Sequence, residues 1–538
     1  MARSLIVFSD GTGQRGGASL ATNVWRLYKM IDRRDGDQLT FYDDGVGTQR
    51  STPYRALSAA FGLGITANVM QAYEFIAKNY EEGSEIYLFG FSRGAYTVRL
   101  LLGLLKRIGL IDGRDLREEE FAKTLVDVKH AFRSNKNTIS DNLSAKVIPV
   151  DVEFIGVWDT VDAVGVPVDE LKPIVTALPR LFGRRQFGFT DRTVMGAKYA
   201  RHALAIDDER RSFHPNYWNA AGTWGDGQKV NLRQVWFTGM HTNVGGGYPK
   251  DGLAYVALEW MIAELMRKTS IKLLASEMDD VTNSANEADK VYDSRSGLGV
   301  FYRYAPRRLA RFPTGHNDFY RRKLGYTWSG LQEITVHISV WLRVIRNVQE
   351  YAPLFINTSE INPSAKVNME YTDLGGSLFH PAKIKPEVVE KGFPSLPGAV
   401  TKQLTRLVAT RQIFHVFFLL FLVAGVAFGL TMEVPNQTVP AEPSLAETLM
   451  TWLAETLKGL VPAALEPIID NAFARPLFGL GFTFLVLFNY LASRLFARKI
   501  NSTARAGWNR VVEGYFDEEE ELERVGEVRI SEGAGVSE

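Results

Sequence analysis

The chain has 538 residues, 46% of them hydrophobic and 23% charged, a formal net charge of +1 and no cysteine. That length holds a large domain plus at least one further module, and the balanced charge gives no reason to expect nucleic acid as the main partner. The lack of cysteine excludes thiol nucleophiles, disulfides and thiolate metal sites, and it fits a reducing compartment.

The N-terminus opens on a short apolar run, Leu5-Ile6-Val7-Phe8. A signal-peptide core needs roughly seven apolar residues or more, so this run is expected to be the first strand of a cytoplasmic domain. Asp10-Gly11-Thr12-Gly13 follows as a loop rich in backbone amides. Thr22-Asn23 caps a helix whose apolar face is Val24, Leu27, Tyr28 and Ile31. Thr40-Phe41-Tyr42 reads as a second strand, and a helix over about 67–80 places Val69, Ala72, Tyr73 and Ile76 on one face. Strands alternating with helices imply an α/β architecture, a mostly parallel sheet covered on both faces.

The next strand, Ile86 to Phe91, runs into a helical pattern of Val98, Leu101, Leu102 and Leu105. Between them Gly90-Phe91-Ser92-Arg93-Gly94 fits G-x-S-x-G, the nucleophile elbow of α/β-hydrolases. The turn is sharp enough that side chains two residues either side of the serine collide with the neighbouring strand and helix, which explains the glycines. It aims Ser92 at the positive end of the new helix, where the Arg93 N–H is placed to bind an oxyanion. The loop after an early strand supplies the second donor in such folds, so Gly11 or Thr12 is the candidate. The plainer reading of that loop is a βα turn with Asp10 as a local acceptor. No G-x-x-x-x-G-K-[ST] accompanies it.

Val152 to Val161 is a buried-strand pattern that delivers Asp159 to the rim where α/β ligands bind, with Asp162 as a competitor in the same loop. Residues 167–193, rich in Pro, Gly and Arg, read as an insertion. Arg201 to Arg210 is helical in composition and carries Asp207, the runner-up acid. Val235-Trp236-Phe237 leads into Gly239-Met240-His241 and then Gly245-Gly246-Gly247. His241 follows a strand and comes last in the order Ser, Asp, His used by α/β-hydrolases, which makes it the candidate base ahead of His202 and His214. No cofactor or metal site is indicated.

Residues 413–432 and 476–496 are two apolar stretches of about 20 residues, each long enough to span a bilayer. Lys402, Arg406 and Arg411 precede the first, and Arg498, Lys499 and Arg505 follow the second, while the intervening loop is acidic. Positive outer flanks predict a transmembrane hairpin in the cell (inner) membrane with both termini cytoplasmic. Leu449, Leu453, Leu457 and Leu460 give the loop an amphipathic pattern. The expected domains are a catalytic region over 1–350, an irregular linker over 351–412, the hairpin, and an acidic, partly disordered tail over 497–538. Basic and aromatic residues interleave around Arg303 to Phe312 and Phe319 to Lys323, which reads as a phospholipid-facing or simply a solvated face.

Taken together, Ser9-Asp10-Gly11-Thr12-Gly13, Gly90-Phe91-Ser92-Arg93-Gly94-Ala95-Tyr96, Val157-Trp158-Asp159-Thr160-Val161, Ala205-Ile206-Asp207-Asp208-Glu209-Arg210 and His241 with Val244-Gly245-Gly246-Gly247-Tyr248 resemble one family. It is the bacterial and fungal family of α/β-hydrolase-like proteins, long classed as a domain of unknown function, that includes the phospholipase effectors of type VI secretion systems. The resemblance covers roughly residues 1–270. It implies an α/β-hydrolase core and phospholipid ester hydrolysis by Ser92, Asp159 and His241, with membrane phospholipid as both substrate and surface. Asn243 departs from the acidic residue that the resemblance leads one to expect after the histidine. Rival expectations are an esterase for a non-lipid ester, a non-catalytic scaffold or signalling protein on the same fold, and a pore. The hairpin also offers a route to a homo-oligomer.

Overall fold

A computed structural model of the chain describes residues 3–11, 20–45, 64–113, 116–134, 141–161, 193–216, 218, 220–296, 299, 302–307, 309, 333–354, 366–384, 388, 391–431, 448, 451–452, 454–455, 458 and 476–515. Thr12, Asp162, most of the 167–193 insertion, Leu449, Leu453, Leu457, Leu460, residues 319–323 and the end of the tail lie outside them.

Eight strands form one sheet: β1 (Ser4–Ser9), β2 (Gln38–Asp43), β3 (Glu85–Phe91), β4 (Val152–Trp158), β5 (Ala197–Ala205), β6 (Asn231–Phe237), β7 (Glu333–His337) and β8 (Lys366–Glu370). Their order is β8-β7-β6-β5-β4-β3-β1-β2, and every pairing is parallel. The order reverses between β1 and β3, the topological switch point where open α/β sheets bind ligands beyond the carboxyl ends of their strands. The register aligns Ser9 with Gly90, Gly90 with Val157, Trp158 with Ala203 and Ala205 with Phe237. The loops after β1, β3, β4, β5 and β6 therefore emerge along one rim.

Both faces of the sheet are covered, as near-continuous apolar strands require. On one face Leu5, Val7, Leu88, Ile155 and Val157 are buried in a cluster with Val69, Tyr73 and Ile76 of α1 (Ile65–Asn79) and Val98, Leu101 and Leu105 of α2 (Arg93–Ile108). On the other, Phe8 stacks on Phe89 at 5.3 Å and meets Tyr28 edge-on at 5.5 Å. Phe237 packs against Trp260 of α3 (Gly252–Lys268) at 5.5 Å.

Of the stretch 201–210, expected to be helical by composition, residues 201–205 are the end of strand β5. Arg201 within it is fully buried, paired with Glu264 at 2.5 Å and donating to the Asn231 carbonyl at 2.7 Å. A cation neutralised in this way sits in a central strand, and composition cannot distinguish it from one on a wet helix face. The stretch 351–412, expected to be irregular, contains β8 and the start of helix α4 (Gly398–Thr431).

The chain divides into two compact units, Met1–Tyr302 with Pro306–Gly398 and Gly507–Glu538, and Arg303–Ala305 with Ala399–Ala506. In the first, Trp508 donates to the Pro353 carbonyl at 2.8 Å and Trp341 meets Tyr515 edge-on. The second holds most of α4 and of α5 (Pro476–Tyr515), where Asn489 donates to the Phe414 carbonyl at 2.9 Å and the rings of Phe414 and Phe496 lie 5.3 Å apart. Among the described residues one helix segment, Gly398–Phe421, is long and apolar enough to cross a membrane.

Candidate active site

Ser92 stands between β3 and α2 with φ 57° and ψ −119°, a conformation that L residues avoid. Such strain costs on the order of 1–3 kcal/mol and persists only where the surroundings enforce it. Here the enforcement is close packing at the flanking glycines. A Cβ on Gly94 would lie 2.0 Å from the Ser9 carbonyl oxygen and 2.5 Å from that of Asp10, and one on Gly90 would lie 2.6 Å from the Gly94 carbonyl oxygen. All of these neighbours are backbone, so neither strand can give way. Gly94→Ala is therefore expected to destabilise the fold by about 3 kcal/mol or more, read as a lower urea midpoint at unchanged m. A midpoint within error of the parent's would contradict this account of the turn.

Along the rim, His241 follows β6 as the first residue of a short helix, His241–Gly245. Its Nε2 is 2.7 Å from Ser92 Oγ, and its Nδ1 is 2.6 Å from Asp159 Oδ2, beyond the end of β4. Asp159 itself has φ 38°, a second strained non-glycine residue at the site. The imidazole is held between two rings, Phe91 at 4.7 Å and Phe213 edge-on at 5.2 Å. A Cβ on Gly245 would fall 2.0 Å from the Phe91 ring, so the glycines after His241 make room for that ring.

Asp159 carries one further partner. Arg307 donates to its Oδ1 at 2.7 Å and to its Oδ2 at 2.8 Å, and both side chains are buried. Burial alone raises the Asp159 carboxyl, but the Arg307 cation and then the His241 hydrogen bond override it and hold the group well below the usual carboxylate range. Burial lowers His241 below its ordinary value despite the pull of Asp159. At neutral pH the group is then an ionised carboxylate accepting from a neutral imidazole. That imidazole is able to accept a proton from a serine hydroxyl.

Residues 3–264 match the family model described as "T6SS, Phospholipase effector Tle1-like, catalytic domain". This region is similar to the catalytic domain of that family. An uncharacterized protein of Saccharomyces cerevisiae is 26% identical over 234 residues, which is 39% of this chain and 32% of the yeast protein, so the chain spans about a third of that relative's length. A crystal structure of an uncharacterized protein from Pseudomonas aeruginosa aligns over 90% of this chain and 66% of its own, at 16% identity and a TM-score of 0.30.

Ser92, Asp159 and His241 all lie inside the matched residues 3–264, whereas Arg307 comes from beyond their end. Nothing in the sequence singles Arg307 out. It stands in the basic and aromatic run expected to form a lipid-facing or solvated surface, and instead it is only 3% exposed. Asp208 is the other carboxylate that sequence reading passed over: its Oδ2 accepts the His241 backbone N–H at 3.3 Å, and it is paired with Arg210. Asp207, the runner-up acid, turns elsewhere, accepting from the Gly239 N–H at 2.6 Å and the Tyr351 hydroxyl at 2.8 Å. His202 is buried with its Nε2 accepting the Thr160 N–H at 3.1 Å.

Gly11 lies against the elbow, where a Cβ would be 3.6 Å from that of Ser92. Its N–H, however, donates to Asp10 Oδ1 at 2.6 Å and is not turned to the serine. Asp10 is the local acceptor of the plainer reading, and its Oδ2 also takes hydrogen bonds from Thr22 and Tyr42, each at 2.6 Å.

Asn243 accepts from the Met240 and Tyr292 N–H groups and donates to the Lys290 carbonyl at 3.1 Å. An acidic residue at this position has no N–H to give and would bring a charge into a buried site. Asn243→Asp is expected to cost about 1–3 kcal/mol, measured by chemical unfolding, and an equally stable variant would contradict this role.

Proposed function

We propose that the chain is a membrane-anchored serine hydrolase acting on the acyl esters of phospholipids. Ser92 Oγ attacks the ester carbonyl as His241 Nε2 takes its proton, and Asp159 holds the imidazole in the required tautomer. The Arg93 N–H, the first amide of α2, stabilises the oxyanion together with a donor from the Gly11–Thr12 loop. Because the Gly11 N–H is held by Asp10, Thr12 is the favoured second donor. His241 then protonates the departing alcohol, and a water activated by the same imidazole releases the fatty acid.

The observation that supports this reading is the unbroken line Ser92 Oγ, His241 Nε2, His241 Nδ1, Asp159 Oδ2, with links of 2.7 and 2.6 Å, at the head of a strained turn. The family description, a phospholipase effector domain, favours a lipid ester over a soluble one. Anchoring is supported by the apolar segment Gly398–Phe421, and by the exposed Phe484, Leu487, Phe488, Leu491 and Leu495 on α5, which suit a lipid-facing helix. We read the two helices as a transmembrane hairpin of the inner membrane with cytoplasmic termini. This tether raises the effective concentration of a lipid substrate.

The test is lipid mass spectrometry on phosphatidylethanolamine and phosphatidylglycerol vesicles carrying the reconstituted full chain or its Ser92→Ala variant. Serine-dependent release of fatty acid is expected. Release of acid only from a short-chain nitrophenyl ester would assign the site to a non-lipid ester. Failure of Ser92 to react with a fluorophosphonate probe would leave only the scaffold.

A further inference from the structure

We propose that Arg307 is the positioning residue of this reaction centre: its guanidinium clamps both oxygens of Asp159 and thereby fixes the plane in which that carboxylate orients His241. The proposal rests on the reading of Ser92, Asp159 and His241 as a hydrolytic triad. It assigns a part in the reaction to a side chain outside the family domain.

Four hydrogen bonds converge on the carboxylate. Oδ1 accepts from Arg307 Nη1 at 2.7 Å and from the Ala205 N–H at 3.0 Å. Oδ2 accepts from Arg307 Nη2 at 2.8 Å and from His241 Nδ1 at 2.6 Å. The fork-on-fork contact with Arg307 sets the orientation of the carboxylate as well as its charge. The fork is itself held from behind, because Nη1 also donates to the Ala205 carbonyl at 2.6 Å and Nη2 to that of Phe213 at 2.5 Å. The guanidinium is thus tied to the backbone at the end of β5 and just beyond it, unlike an exposed ion pair free to swing.

The charge balance points the same way. Asp159 without Arg307 is a buried anion facing His241 alone, and it either takes a proton itself, which removes the carboxylate that accepts from Nδ1, or favours the imidazolium, which depletes the neutral base. The other charges facing His241 are Asp208, which accepts its backbone N–H, and Arg210, bonded to both Asp208 oxygens at 3.0 and 2.6 Å. These two largely cancel each other and do not substitute for the clamp. A lysine at 307 keeps a charge but cannot grip two oxygens in one plane.

The experiment compares the reconstituted full chain with its Arg307→Gln, Arg307→Lys and Ser92→Ala variants on phosphatidylethanolamine vesicles, across pH. Arg307→Gln is expected to lose roughly 10²-fold in kcat with little change in KM. The acid limb of its kcat/KM profile is expected to move up by about one pH unit, because the unopposed carboxylate raises the imidazole. Arg307→Lys is expected to keep the acid limb of the parent while losing roughly 10-fold or more in kcat. Guanidinium added to Arg307→Ala is expected to restore part of the rate. A parental rate and acid limb in either Arg307→Gln or Arg307→Lys overturns the proposal. Arg307→Lys keeps the test decisive should the neutral variant not fold. Parental turnover in Ser92→Ala strikes the hydrolase reading itself, whereas a silent Ser92→Ala beside an unaffected Arg307→Gln or Arg307→Lys strikes only the clamp.

Discussion

Replacing Ser92 by alanine is expected to lower lipid-ester turnover by about three to six orders of magnitude. The proposed route to acyl transfer passes through Oγ. It is the atom 2.7 Å from the base, and its position is maintained by a strained backbone that alanine can still adopt. The fold should therefore survive while the chemistry goes. Residual activity is expected from the proposed oxyanion donors and from substrate binding. Fatty acid release in proteoliposomes at substrate saturation, with circular dichroism as the control for folding, measures the effect. A loss smaller than about tenfold would remove Ser92 from the mechanism.

Asp159→Asn is expected to lower turnover by about 10⁴-fold and stability by about 3–5 kcal/mol. The catalytic loss follows from the tautomer: an amide N–H aimed at His241 Nδ1 puts the proton on Nε2, which then donates to Ser92 and cannot accept from it. The loss of stability has a separate cause. Arg307 is fully buried against this carboxylate, and neutralising its partner leaves an uncompensated cation in the interior. The two effects are separable by measuring kcat and the urea midpoint on the same variant. Asp159→Asn with parental stability would mean that Arg307 finds its compensation elsewhere. Parental turnover would mean that another group orients His241.

The legible part of the site has a local cause. In a parallel sheet every strand delivers the residues that follow it to the same rim, so a short apolar run followed by a reactive side chain can be read one strand at a time. Ser92 after β3, Asp159 after β4 and His241 after β6 were each marked in this way, and the structure brings the three into hydrogen-bonded contact. Arg307 had no comparable signal. It arrives from an irregular segment, and its partner lies 148 residues away. In the sequence a buried guanidinium in the run Arg303 to Phe312 has the same appearance as a solvated one.

The same distinction divides the fold. Strands β1 and β3, the helix after Thr22 and the helix that follows Ser92 were dictated by hydrophobic period, capping and turn chemistry, which act over a few residues. Helical composition around Arg201 gave way to a strand because Glu264, distant in the chain, neutralises the arginine there. β8 formed within an apparently irregular stretch because β7 offers a sheet edge with five residues in register. The amino-acid order alone determined the parallel α/β plan, the elbow and the apolar character of 413–432 and 476–496. Tertiary structure decided which charges are buried and what opposes them, because compensation of a buried ion depends on which distant groups the fold brings within hydrogen-bonding distance.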